Sequence, residues 1–181
     1  MIKDSLNIAK ELKITLKNLK TFPGHDGMEG FDADICIDGK KVLHVYDSAH
    51  GGCYEFRPVD SDYKAARDVE AELERKIAEY PAYPCQLGGS TRDMKDSLEC
   101  VIGALVSDHT FQKDIKKDEK KGLMLETKFG YEIIKWKAGT IPKMIEKFGK
   151  DRVIALIQAE ALKTKETILN KKYLESIGVK F

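Results

Sequence analysis

The stretch from Phe22 to Phe56 constrains the fold more than any other part of this chain. Residues 31–38 alternate between apolar and mostly polar side chains, and this period of two predicts a strand with one buried face. Asp38-Gly39 ends the alternation, and this pair favours a tight hairpin turn because both residues tolerate positive φ. A return strand at about 40–47 and a third apolar run at 53–57 follow. The stretch therefore predicts an antiparallel β-meander.

The flanking sequence extends this meander into an α+β fold. The predicted strands of the N-terminal sheet are 13–21, 31–37, 41–47 and 53–57. Apolar residues at spacings of three and four predict an amphipathic helix that begins at a cap on Asp60 or Ser61 and ends at about Glu79. We expect this helix to pack across the sheet.

The rest of the chain is predicted to be mostly helical, with one short hairpin. The predicted elements are a helix from Ser90 or Thr91 to about Lys121, a hairpin of 123–127 with 131–137, a helix at 141–148 and a helix at 151–165. In the helix at 141–148, Phe148 is expected to face inward. Proline and glycine at 81–90 predict a linker between regions 1–80 and 91–181, unless both regions form one compact domain.

Composition and length exclude several classes of protein. The 181 residues suffice for one ordinary domain or two small ones, and 42% hydrophobic with 34% charged residues is a globular balance. No apolar run approaches the roughly 20 residues of a membrane-spanning helix. The first residues carry charges within their apolar pattern, unlike a secretory signal, which predicts a cytoplasmic protein without membrane contact. The four cysteines contain no C-x-x-C pair, which favours buried thiols over a zinc site or a disulfide framework.

Charge is distributed unevenly along the chain. Residues 1–112 contain 14 Lys and Arg against 20 Asp and Glu, a net charge of −6. Residues 113–181 contain 17 Lys and Arg against 10 Asp and Glu, a net charge of +7. Such a split predicts either two surfaces that attract each other or a basic surface open to an acidic partner.

Two glycine-rich loops of the meander carry histidines and acids. The candidate ligand-binding residues in and beside these loops are His25, Asp26, Glu29, His50, Gly51 and Gly52. Imidazole and carboxylate groups bind divalent metals or act as acid and base, and loop amides attract a small phosphorylated ligand. The spacing matches neither H-E-x-x-H nor a phosphate-loop motif, so no metal site and no cofactor is predicted. The alternative is that the glycines shape turns while the charged residues stay in water.

The same region forms a predicted acidic surface. Asp32 and Asp34 project from one side of a strand, Asp26 and Glu29 lie just before it, and no Lys or Arg occurs from residue 21 to 39. A surface of this kind would steer the approach of a basic protein partner. The alternative is the solvated side of a half-buried sheet, where charges protect an edge from aggregation.

The C-terminal third carries the basic excess. Its candidate nucleic-acid contacts are Lys135, Trp136, Lys137, Lys150 and Arg152. An indole between two lysines predicts stacking and charge contacts with single-stranded nucleic acid, unless it packs internally while its neighbours face water. The helices on either side of Gly149 have helix-turn-helix punctuation, but the apolar run 153–157 favours a plain helical hairpin over a reader of the DNA groove.

These patterns support three functional hypotheses. The chain contains neither G-x-S-x-G nor a recognisable Cys-His arrangement, so the first hypothesis is a non-catalytic binding protein. It would be an inhibitor or adaptor of the kind encoded by small accessory genes of phages and mobile elements, and would bind a protein partner through the acidic surface. The second is a small metal- or nucleotide-binding protein or hydrolase that uses the glycine–histidine loops. The third is a nucleic-acid binder that uses the basic third.

Overall fold

The computed structural model describes residues 2–24, 27–87, 90–128 and 130–181 and has the predicted α+β fold. An antiparallel four-stranded sheet near the N-terminus precedes a mostly helical part with a short hairpin. The chain divides into two compact units, Met1–Asp108 and His109–Phe181. The domain boundary predicted at 81–90 stays a prediction. In the part of the chain that the structure describes, no helix is both long and apolar enough to cross a membrane.

The four-stranded sheet of the first unit confirms the predicted meander. Its strands are β1 (Ile14–Pro23), β2 (Glu29–Ile37), β3 (Lys40–Asp47) and β4 (Glu55–Arg57), in the order β1-β2-β3-β4 with every neighbour antiparallel. Asp38 and Gly39 have φ angles of 50° and 79°, as the tight turn between β2 and β3 requires. A bulge between Lys17 and Lys20 interrupts the register of β1 with β2, and Asn18 within it has a φ of 55°.

One face of this sheet forms the core of the N-terminal unit. Phe31, Ala33 and Ile35 of β2 are at most 3% exposed and cluster with buried residues of three helices. These helices are α1 (Ile2–Glu11), α2 (Tyr63–Ile77) and α3 (Leu98–Asp118). The cap of α2 differs from the prediction, because the Asp62 carboxylate accepts from the backbone N–H groups of Lys64 and Ala65 at 3.1 and 3.0 Å.

A hairpin replaces the predicted start of the second long helix. Strands β5 (Tyr83–Leu87) and β6 (Ser90–Met94) pair antiparallel where the sequence predicts a linker and then a helix. Helix α3 begins only at Leu98, because the Ser97 hydroxyl accepts from the Cys100 N–H at 3.2 Å and caps the helix there. Ser90 therefore begins a strand, and it does not provide the helix N-terminus that an anion would need.

The C-terminal unit has its own hydrophobic core. Its elements are β7 (Leu123–Thr127), β8 (Gly130–Ile134), α4 (Ile141–Phe148), α5 (Lys150–Ala161) and α6 (Lys171–Ser176). Strands β7 and β8 form the predicted hairpin. Leu123, Ile141, Ile157 and Leu174 are fully buried in one cluster. Phe148 was expected to face inward, but its side chain is 40% exposed, and Met144 is the buried residue of this helix.

Candidate functional site

The two glycine-rich loops of the meander meet in the structure. A Cβ atom placed on Gly24 would collide with the Cβ atom of Ala49, so these two backbones touch. The Gly24 N–H also donates to the Met28 carbonyl oxygen at 2.7 Å, which closes the first loop. His25 and Asp26 lie outside the described residues, and their predicted roles stay predictions.

The other candidate residues of these loops lie at the surface. Glu29, the first residue of β2, is exposed, as are His50, Gly51 and Gly52 in the loop that follows β3. A Cβ atom on Gly51 or Gly52 would meet nothing within 4 Å, so neither glycine is required for close approach to another part of the described chain. Gly51 does have a φ of 80°, which favours glycine for the turn itself.

Asp34 lies on the outer face of the sheet and is almost fully enclosed. Its side chain is 11% exposed. One carboxylate oxygen accepts from Asn18 Nδ2 at 2.8 Å, and the other lies 2.6 Å from Lys41 Nζ and 3.0 Å from His44 Nδ1. Burial acts to raise the pKa of Asp34, but hydrogen bonds from His44, Lys41 and Asn18 outweigh it and lower the pKa from 3.8 to about 2. Asp34 is therefore ionised at neutral pH and is held within the sheet.

His44 of β3 lies between two carboxylates. Its Nδ1 is 3.0 Å from Asp34 and its Nε2 is 3.3 Å from Asp32. A catalytic histidine oriented by an aspartate needs its second ring nitrogen free to reach a substrate proton. Both nitrogens of His44 are engaged, so this geometry stabilises the sheet and does not present a general base.

Basic residues of neighbouring strands lie close to the acidic run of β2. In the register of β1 with β2, Lys17 lies opposite Asp34 and Lys20 lies opposite Asp32, although the Lys17 ammonium donates to the Gly39 carbonyl oxygen. Lys41 forms an ion pair with Asp34. Positive groups therefore lie beside the predicted acidic surface, and its role in partner binding stays a prediction. Asp32, with 41% of its side chain exposed, is more available to a partner than Asp34.

The C-terminal unit contains an open groove with apolar walls. The groove has a volume of about 300 Å³ and lies between the loop after β8 and helices α4 and α5. Its apolar lining comes mainly from Trp136, Met144, Phe148, Val153 and Leu156. We call it the C-terminal groove. Phe148 and Leu156 remain 40% and 42% exposed, so the groove leaves large apolar side chains open to solvent.

Positive charge surrounds the C-terminal groove. Lys137 and Arg152 line it, and its described lining residues include no Asp or Glu. The Lys147 ammonium and the Arg152 guanidinium lie 5.3 and 5.9 Å from the centre of the Phe148 ring, within the range of cation–π attraction. The unit that holds the groove, His109–Phe181, has 17 Lys and Arg against 10 Asp and Glu.

Three of the five residues predicted to contact nucleic acid line this groove. Trp136, Lys137 and Arg152 line it together, whereas Lys135 and Lys150 are exposed and lie outside its lining. Met144, Phe148 and Leu156 were not candidates from the sequence, because apolar helix residues are expected in a core. The signal that could have revealed Leu156 is the breadth of apolar sequence in α5, where Val153, Ile154, Leu156 and Ile157 exceed one helical stripe.

Neither a metal site among the described residues nor a relative points to a function for this chain. In the described part of the chain, no three His, Cys, Asp or Glu side chains are grouped so that they could hold a metal ion. Comparisons of this chain with protein-family models, curated proteins and solved structures gave no match. Among the described residues, the C-terminal groove is the best-formed candidate site, because apolar walls and positive charge meet there.

Proposed function

We propose that this protein is a non-catalytic binding protein, an adaptor or inhibitor, that holds an acidic segment of a protein partner in the C-terminal groove. The observation that supports the proposal is the combination of apolar walls with a basic rim at one place. Binding energy at protein interfaces is concentrated in large buried anchors, while charged rims steer and select the partner.

The apolar walls define the anchor of the partner. A groove of about 300 Å³ is the size of a small ligand pocket and accepts one bulky apolar side chain with part of its backbone. The exposed faces of Phe148 and Leu156 would be covered when that side chain enters. Leu, Phe, Met or Trp in the partner would satisfy this requirement.

The basic rim defines the residues that flank the anchor. Lys137 and Arg152 line the groove and Lys147 lies beside it, so Asp or Glu next to the anchor would meet a positive group. The net charge of +7 on the C-terminal unit adds long-range attraction for an acidic partner. Partner binding should therefore weaken as salt concentration rises.

A protein segment fits the groove better than single-stranded nucleic acid does. Bases stack on flat, exposed aromatic rings, and such sites follow the phosphate backbone with a continuous row of positive charge. Part of the wall here is aliphatic, from Met144, Val153 and Leu156, and these side chains match an apolar anchor. Lys135 and Lys150 do not extend the lining. Nucleic acid remains a testable alternative occupant.

The acidic loop and strand surface would serve the same binding function at a second place. Glu29, Asp32 and His50 are the described residues through which a basic partner could be contacted there, since Asp34 is enclosed. Charge reversal at Glu29 and Asp32 that leaves partner binding intact would exclude this surface.

Selection of short random peptides displayed on phage tests the proposed occupant without knowledge of the partner. We expect enriched peptides to share one bulky apolar residue flanked by Asp or Glu. Trp136 is the one tryptophan of the chain and lines the groove, so tryptophan-free members of the selected set should change its fluorescence on binding. The substitution Leu156→Glu should weaken the binding of these peptides at least about tenfold, which corresponds to about 1.4 kcal/mol.

Leu162→Glu is the matched control for this experiment. Leu162 is 87% exposed and does not line the groove, so its replacement introduces the same charge nearby without blocking the site. Peptides that bind Leu156→Glu as tightly as the wild type would contradict the proposal. Oligothymidine could instead bind more tightly than the selected peptides when Trp136 fluorescence is the readout. If Leu156→Glu weakens the binding of oligothymidine to the same degree, the result would favour the nucleic-acid alternative.

A further inference from the structure

The N-terminal unit contains a second cavity, whose lining is acidic, whereas the C-terminal groove has a basic rim. Its volume is about 200 Å³, and it is formed by α1, the segment after α2 and the residue Asp96 just before α3. Carboxylates of Asp4, Glu11 and Asp96 line it together with the rings of Tyr80 and Tyr83. None of its described lining residues is Lys or Arg. We call it the Asp96 cavity.

Asp96 is the unusual group in this cavity. The residue is 8% exposed, and its Oδ1 accepts hydrogen bonds from Ser5 Oγ and from the Tyr83 hydroxyl, both at 3.0 Å. Its Oδ2 is also buried but has no hydrogen-bond partner among the described residues. Buried carboxylate oxygens are nearly always paired, because an unpaired one loses its water without compensation. The arrangement therefore lacks one donor.

We propose that the Asp96 cavity binds a primary alkylammonium group, which donates a hydrogen bond to Asp96 Oδ2. A guanidinium pairs best with both oxygens of a carboxylate, but Asp96 Oδ1 already accepts two hydrogen bonds. A compact ammonium with three donors needs only the one free oxygen.

Tyr80 supplies a further acceptor for such a group. Its hydroxyl donates to Glu11 Oε2 at 3.0 Å, and that of Tyr83 donates to Asp96. The phenol oxygen of Tyr80 keeps a lone pair that can accept from the ammonium. Burial and the hydrogen bond to Glu11 raise the pKa of Tyr80, so its hydroxyl stays protonated at neutral pH.

The other walls favour an organic cation over a metal ion. Ile8 is 6% exposed and lies with Pro81 in the lining, so apolar surface is available to contact the methylene groups of an alkyl chain. Mg²⁺ and Ca²⁺ prefer oxygen ligands on all sides. The carboxylates of Asp4 and Glu11, two turns apart on the same face of α1, add negative charge that attracts the cation.

The same chemistry is carried by a free alkyl diamine and by a lysine side chain. Calorimetric titration of the full chain with putrescine, and separately with N-acetyl-lysine methylamide, distinguishes these two sources. Either probe should bind the wild type, and the tighter one identifies the class of the natural ligand. Asp96→Asn keeps the shape and an oxygen acceptor for Ser5 and Tyr83 but removes the charge, so it should weaken binding at least about tenfold. Asp68→Asn, an exposed carboxylate outside the cavity, should bind like the wild type.

Additional measurements keep the test decisive if Asp96→Asn fails to fold. Glu11→Gln changes an exposed residue and should weaken binding about threefold. Intermolecular NOEs from the methylenes of the probe should reach the side chains of Ile8 and Tyr83. The proposal is overturned if neither probe binds, if Asp96→Asn binds as the wild type does, or if Mg²⁺ displaces the probe from the cavity at lower concentration than the probe itself requires. These outcomes leave the C-terminal groove unaffected, because the two sites share no residue.

Discussion

At the scale of single residues, the side chain of Asn170 makes a buried network of three hydrogen bonds. It is 2% exposed, and its amide nitrogen donates to the carbonyl oxygens of Glu119 and Gly122, each at 2.8 Å. Its Oδ1 accepts from the Met124 N–H at 3.1 Å. One side chain thereby joins the end of α3, the start of β7 and the start of α6.

Asn170→Ala should lower the free energy of unfolding by about 3 kcal/mol, because it leaves three backbone groups, two of them in buried hydrogen bonds, without this partner. Urea denaturation monitored by circular dichroism measures this change. Gln158→Ala is the control, since Gln158 makes a single 3.3 Å bond to the Lys180 carbonyl oxygen near the surface. If both variants lose equal stability, the Asn170 network does not have the role assigned to it.

Asp34 predicts a specific dependence of stability on pH. Its pKa is about 2 in the folded chain and 3.8 as a free side chain, so the folded state stabilises the ionised form of Asp34. This contribution, at most about 2 kcal/mol, is complete above pH 4 and disappears as the pH falls through 2.

The difference in unfolding free energy between the wild type and Asp34→Asn should therefore shrink as the pH falls from 5 to 2. Urea titrations at a series of pH values measure this difference. Asp68→Asn, which alters an exposed carboxylate, should show a small difference at every pH. A gap between wild type and Asp34→Asn that stays constant down to pH 2 would disprove the network around Asp34.

At the scale of elements, the β7–β8 hairpin depends on a glycine that precedes it. A Cβ atom on Gly122 would overlap the Ile134 carbonyl oxygen and come within 2.9 Å of Ile133 Cγ2. Gly122→Ala should therefore displace the strand pair and cost about 2 kcal/mol or more in unfolding free energy. Gly52→Ala is the control, because its Cβ would meet nothing within 4 Å. Thermal melting of both variants measures this destabilisation, and the melting temperature of Gly52→Ala should equal that of the wild type. Equal melting temperatures of the two variants would refute the role of Gly122.

Local patterns predicted the elements whose formation depends on neighbouring residues. The alternation at 31–38 and the Asp38-Gly39 pair were sufficient for β2, β3 and their turn, because strand period and turn φ are local properties. The β5–β6 hairpin was missed because Pro81 and Pro84 are typical of a linker and Thr91–Met94 has no clear alternation. Its strands pair with each other, and that pairing is not visible in either segment alone.

The candidate sites were harder to predict than the helices and strands, because the sites depend on contacts between residues that are distant in the sequence. Lys17 and Lys20 lie opposite the acidic run of β2 in the register with β1, and Lys41 of β3 pairs with Asp34, so the positive neighbours of this run come from other strands. The sequence shows that Phe148 and Leu156 are apolar residues of helices. Only the packing of α4 and α5 shows that both side chains stay exposed. The hydrogen bond that occupies the other oxygen of Asp96, Oδ1, comes from Ser5, which is 91 residues away in the chain.

At the scale of the whole molecule, the charge split coincides with the structural division. Residues 109–112 contain no Asp, Glu, Lys or Arg, so the acidic unit ends at Asp108 and the basic unit begins directly after it. The unit with a net charge of −6 contains the Asp96 cavity, which is lined by acids. The unit with a net charge of +7 contains the basic C-terminal groove. Each site thus has the sign of charge of the unit that holds it, which reinforces attraction of its proposed ligand.

The central claim is that the C-terminal groove holds an acidic segment of a protein. Its most direct test is a cross-linked pull-down from the natural cell, followed by mapping of the cross-linked peptides, with wild type, Leu156→Glu and Leu162→Glu as baits. We predict a partner peptide with an apolar residue next to Asp or Glu, cross-linked beside the groove, captured by wild type and Leu162→Glu and lost with Leu156→Glu. Equal capture by all three baits, or cross-links confined to the Glu29 and Asp32 surface, would contradict the claim.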